Sequence, residues 1–87
     1  MKSVEFIIEN KVGLHARPAT LFVKAAQAHQ ADIKVSYDGK TVNAKSLLSL
    51  LTLGAAQGAV ITVTAEGSDE AEAMSALAAL VDNNFGE

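Results

Sequence analysis

Asp38-Gly39 lies between two short segments of strand character, and this dipeptide constrains the fold more than any other feature of the chain. Both central positions of a two-residue hairpin turn favour positive φ, which glycine adopts freely and aspartate tolerates. Ile33, Val35 and Tyr37 alternate with Lys34 and Ser36 before the turn, and Thr41 to Asn43 follow it. Strands joined by so tight a turn run antiparallel, because a parallel pair needs a long crossover. A purely parallel sheet is therefore excluded. The alternation puts Ile33, Val35 and Tyr37 on one side of the sheet and Lys34 and Ser36 on the other.

The remaining segments fit around this hairpin. Val4, Phe6 and Ile8 alternate with Glu5, Ile7 and Glu9, which predicts a first strand over residues 2–9. Asn10 to Gly13 is a turn-rich break. From Ala16 to Gln27 the apolar residues Ala19, Phe22, Val23 and Ala26 form a helical stripe. Pro18 falls in the first turn, where a missing N–H costs nothing, so the helix begins close to His15. Ser46 and Gly54 bracket a leucine-rich segment as N-cap and C′ residue of a short helix. Val60 to Ala65 reads as a fourth strand. Ser68 is the predicted cap of a last helix, with Asp69, Glu70 and Glu72 at its positive end. Met74, Leu77, Ala78 and Val81 line its inner face. The order β-α-β-β-α-β-α indicates an α+β fold, an antiparallel sheet with helices on one face.

The chain has 87 residues, which bounds it to a single domain over residues 1–87. An apolar fraction of 49% excludes a disordered chain. There is no cysteine, hence no disulfide framework and no thiolate metal site, which fits a reducing compartment. No apolar run is long enough to span a bilayer, and Met1 to Glu5 lacks the apolar region of a secretion signal. All seven basic residues lie in residues 1–45, which carry a net +3; residues 46–87 carry −6. That balance speaks against a basic nucleic-acid-binding surface. It allows a local positive patch formed by segments that carry Arg17, Lys24, Lys40 and Lys45.

Gly13-Leu14-His15-Ala16-Arg17-Pro18 is the most informative stretch. His15 stands where unpaired backbone N–H groups and the helix dipole favour an anion. Arg17 adds a permanent charge with a donor fork suited to phosphate oxygens. These are the parts needed to carry a phosphoryl group on an imidazole nitrogen. The same residues also fit an exposed histidine that caps a helix beside an ordinary surface arginine. His29, in the polar stretch after the first helix, reads as exposed and without a role.

The stretch Gly13 to Ala19 resembles the active-site signature of the HPr family, the histidine phosphocarriers of the bacterial phosphoenolpyruvate:sugar phosphotransferase system. Gly39-Lys40-Thr41-Val42-Asn43-Ala44-Lys45-Ser46-Leu47-Leu48 is similar to the family's second signature, and the resemblance covers essentially the whole chain. It implies an open-faced β-sandwich: a four-stranded antiparallel sheet of order 1-4-2-3 with three helices on one face. It implies that His15 receives a phosphoryl group on Nδ1 from phosphorylated enzyme I and passes it to sugar-specific IIA proteins or domains. Arg17 would stabilise the phosphoryl oxygens. The chain would then be a stoichiometric carrier and not an enzyme, cytoplasmic and monomeric, with no cofactor, metal, membrane insertion or direct nucleic-acid contact.

The resemblance also implies a docking surface around His15. Its residues are Thr20, Leu21 and Lys24 of the first helix, and Lys45, Leu47, Leu48, Leu51 and Gly54 in and beside the short helix. The residues alone leave open whether all the leucines are core or some form an exposed patch. Ser46 is an N-cap; in relatives of this family the matching serine is phosphorylated by a serine kinase/phosphorylase. The modified form slows transfer from enzyme I and serves a catabolite-control transcription factor. The competing reading within the family is a nitrogen-related paralogue that feeds a regulatory IIA protein. Outside it are a regulatory domain without phosphocarrier activity, disfavoured by the presence of His15, and a metal- or RNA-binding module, disfavoured by the absence of Cys-x-x-Cys, of exposed aromatics in the strands and of a basic C-terminal half.

Overall fold

The computed structural model describes residues 1–86. The elements follow one another as β1 (Lys2–Ile7), α1 (Ala16–Gln27), β2 (Asp32–Tyr37), β3 (Lys40–Asn43), α2 (Leu47–Leu51), β4 (Val60–Glu66) and α3 (Glu70–Asp82). A short 3-10 turn, Asn84–Gly86, comes after α3. The four strands form one antiparallel sheet of order β1-β4-β2-β3. The fold is the expected open-faced α+β sandwich.

The hairpin turn is as the dipeptide requires: Asp38 has φ 52° and Gly39 φ 81°. Register then decides which side chains meet. Val35 pairs with both Val42 and Val63, and Phe6 with Ile61, so these residues share the helix-covered face. Ile33, Val35, Ile61, Val63 and Ala65 on that face are buried against Phe22 of α1, Leu50 of α2 and Leu77 of α3. The opposite face carries Ser36, Thr41, Thr62 and Thr64, and the Ser36 and Thr41 hydroxyls lie 2.8 Å apart.

Four details depart from the sequence reading. First, β1 ends at Ile7: the Ile8 N–H still reaches the Ala59 carbonyl opposite it, but the Ala59 N–H turns to the Ala56 carbonyl and the Ile8 carbonyl takes the Gly58 N–H instead. Val4, on the core side by register, is 37% exposed because β1 is an edge strand. Second, α2 closes with Thr52 at its C-cap, so Gly54 lies past the C′ position and turns the chain with φ 68°. Third, α3 is capped by Asp69, not Ser68, and the Asp69 side chain makes no cap bond. Its carboxylate is taken instead by the Gln30 and Ala31 N–H groups, each at 2.8 Å. Fourth, Phe85 is buried with φ 56°, in a turn that has no local pattern to announce it.

Candidate functional site

Residues 8–15 leave the end of β1, and residues 52–59 lead into the start of β4; Ile7 pairs with Val60, so both loops sit at one end of the sheet. They are laced together by backbone. The Ile8 N–H donates to the Ala59 carbonyl at 2.8 Å, and the Gly58 N–H to the Ile8 carbonyl at 2.7 Å. The Leu14 N–H donates to the Ala55 carbonyl at 2.9 Å, and Leu14 is itself buried. Gly13 has φ 67°, and a Cβ there would stand 2.5 Å from the Ala55 oxygen and 2.7 Å from the Ala56 Cα. Only glycine permits both the left-handed backbone and so close an approach.

This lacing delivers His15 to the N-cap of α1 with extended backbone, φ −81° and ψ −177°. Its carbonyl accepts the Ala19 N–H at 2.8 Å, which starts the helix. Its imidazole makes no cap bond and is exposed. The cap function therefore falls on the backbone, and the ring is not spent on the fold. Pro18 has no N–H to offer, so Ala16 and Arg17 supply the outward-facing N–H groups of the first turn. Arg17 is exposed and forms no ion pair among the described residues. An open groove of about 410 Å³ adjoins His15, lined by Val12, Leu14, Ala16, Leu51 and Gly54 to Ala56.

The other sequence-predicted residues divide into those near His15 and those at the far end of α1. Arg17, Leu21 and Lys24 stand along one exposed stripe of α1. Thr20, half-buried, donates its hydroxyl to the Ala16 carbonyl at 2.6 Å. In α2, Leu50 is fully buried while Leu47, Leu48 and Leu51 are exposed, Leu48 to 76%. Leu51 and Gly54 share the groove with His15. Ser46 is the N-cap of α2 and accepts the Ser49 N–H on its hydroxyl at 3.3 Å.

The positive patch is smaller than charge counting suggests. The Lys45 ammonium donates to the His29 carbonyl at 2.7 Å, beyond the C-terminus of α1. A 12-residue helix separates that point from His15, a span of about 18 Å. The Lys40 ammonium likewise bonds the Thr52 carbonyl behind α2, at 3.3 Å. Lys40 is thus drawn to the carbonyl of the α2 C-cap, and Lys45 to the carbonyl just past the α1 C-cap, Ala28; among the described residues, Arg17 and Lys24 are the cations of α1 and form no ion pair. His29 is half-buried, not exposed, and its Nδ1 lies 2.9 Å from the Ala25 carbonyl, so it completes the end of α1.

Sequence reasoning missed Val12, which is 51% exposed beside His15, and the wall formed by Ala55 and Ala56. Alanine backbone carries no side-chain signal, so nothing in the sequence could have found that wall. No helix among the described residues is long and apolar enough to cross a membrane.

Comparison with known proteins agrees with this architecture along nearly the whole chain. The family described as "PTS HPr component phosphorylation site" matches residues 2–83. A Vibrio cholerae serotype O1 protein, phosphocarrier protein HPr, is 52% identical over 81 residues, 93% of each chain. The crystal structure of HPr-C-His from Thermoanaerobacter tengcongensis superposes with a TM-score of 0.97 at 50% identity, covering 100% of this chain and 98% of that one. The HPr structure from Bacillus anthracis gives 0.87 at 49% identity, over 92% and 95% of the chains. The chain belongs to the HPr family.

Proposed function

We propose that His15 is the phosphoryl acceptor and that the protein works as a stoichiometric carrier, not a catalyst. The observation that carries this reading is an exposed imidazole with no cap bond at the N-terminus of α1, two residues from Arg17, which forms no ion pair among the described residues. The donor is the phosphohistidine of enzyme I, and the recipients are sugar-specific IIA proteins or domains. In the transfer, the lone pair of His15 Nδ1 attacks phosphorus. The N–P bond to the donor ring breaks, and the donor nitrogen keeps that electron pair. A proton lost from the accepting ring and one gained by the departing ring balance the step. The Arg17 guanidinium and the free N–H groups of the first turn offset the charge on the phosphoryl oxygens, where a partner that excludes water strengthens them.

Docking is assigned to the apolar surface beside the site. Leu47, Leu48 and Leu51 are too exposed to serve the core, and Thr20, Leu21, Lys24 and Gly54 extend the surface around His15. Lys45, bonded at the other end of α1, belongs to its margin. Ser46 is proposed as a regulatory phosphorylation site for a serine kinase/phosphorylase, with a catabolite-control transcription factor as reader. A dianion there suits the N-terminus of a helix and repels an acidic partner face.

The test is direct. Incubation with enzyme I and labelled phosphoenolpyruvate yields an acid-labile, base-stable phosphate on the protein. The same treatment leaves His15→Ala unlabelled; label persisting in that variant overturns the assignment.

A further inference from the structure

Asn10 stands five residues before His15, outside every helix and strand, yet it is only 5% exposed. A buried primary amide is costly unless it is bonded. Here Asn10 Nδ2 donates to the Gly13 carbonyl at 2.8 Å. The Gly13 N–H returns a bond to the Asn10 carbonyl at 3.2 Å. The turn over residues 10–13 is therefore closed by both the backbone and the side chain. Gly13 is in turn blocked against the Ala55–Ala56 backbone, and the next N–H, that of Leu14, is held by the Ala55 carbonyl. His15 follows directly, and its exposed ring has no cap bond to orient it.

We propose that Asn10 is a positioning residue for His15: its amide grips the Gly13 carbonyl and so sets the direction from which the imidazole leaves the chain. The proposal rests on His15 being the phosphoryl acceptor. A ring without its own cap bond depends on the peptides that precede it, and Asn10 supplies the side-chain anchor of those peptides. Small displacements of a reacting group cost large factors in rate.

The test compares Asn10→Ala and Asn10→Asp, neither of which can donate to Gly13, with Met74→Ala, a core truncation in α3. All are held well below their melting temperatures. Two quantities are read: the rate of phosphate uptake from phosphorylated enzyme I, and the NMR signals and χ1 couplings of His15. Both Asn10 variants are expected to take phosphate at least about tenfold more slowly and to show an averaged His15 side chain, while Met74→Ala keeps the wild-type values. Unchanged rate and couplings in the Asn10 variants, or an equal loss in Met74→Ala, overturn the proposal. If the wild-type protein takes no phosphate, the function fails instead, and the His15 couplings alone still decide the role of Asn10.

Discussion

The Asp69 carboxylate, at the head of α3, accepts the backbone N–H of Ala31 at 2.8 Å and ties that helix to the loop between α1 and β2. Its other oxygen accepts the Gln30 N–H at the same distance. The Gln30 bond chiefly holds the Asp69 carboxyl below its usual range; partial desolvation opposes the shift, and the Ala31 bond reinforces it. A carboxyl depressed in the folded state contributes stability above its unfolded pKa, and that contribution is lost as pH falls through the lower folded value. Asp69→Asn is therefore expected to lower the melting temperature at neutral pH and to flatten its decline in acid. Thermal melts from pH 7 down to pH 2 check this; parallel curves for the two proteins contradict it.

Gly13 and Gly54 have nearly the same backbone, φ 67° and 68°, but different surroundings. An added Cβ at Gly54 meets nothing within 4 Å, whereas at Gly13 it meets the Ala55 oxygen at 2.5 Å. Gly54→Ala should lose roughly 1–2 kcal/mol, the cost of a left-handed alanine. Gly13→Ala should lose about 1–3 kcal/mol more, because backbone must move aside. Urea titration of both variants measures the difference. Equal losses would mean that the two loops are not in contact in solution.

Leu50 and Leu48 separate the core from the surface within one short helix. Leu50 is fully buried and Leu48 is 76% exposed. Leu50→Ala is expected to cost about 2–5 kcal/mol, and Leu48→Ala no more than about 0.5 kcal/mol. Leu48→Asp should leave the melting temperature near wild type while slowing phosphorylation by enzyme I. A wild-type phosphorylation rate in that variant would remove Leu48 from the docking surface.

Arg17 forms no ion pair among the described residues, so its charge is available to a phosphoryl group. Arg17→Ala should slow transfer by roughly a hundredfold with little change in stability. It should also weaken the fall of the rate with added salt, since an unscreened charge on the docking face is gone. Stopped mixing at two ionic strengths checks both effects, and an unaltered salt slope would place the steering charge elsewhere.

Much of this molecule was legible in its residues. The Asp38-Gly39 turn, the apolar stripe of α1 and the Ser46 cap are local features, set by backbone preference and by spacing along one element. The short motif around His15 offered the candidate site for the same reason: cap, charge and proline lie within a few residues. Other features follow from groups distant in sequence. Asp69 was drawn away from the helix it precedes by N–H groups some 39 residues earlier. Lys45 carries the same charge in any fold, but the open carbonyl at the end of α1 takes it from the site. The wall beside Gly13 is built of alanine backbone. The sequence by itself determined the elements and the chemistry that His15 and Arg17 offer. Only the tertiary structure decided which lysines are engaged by carbonyls and which backbone packs beside Gly13 and Leu14, because hydrogen-bond partners are chosen by proximity in space.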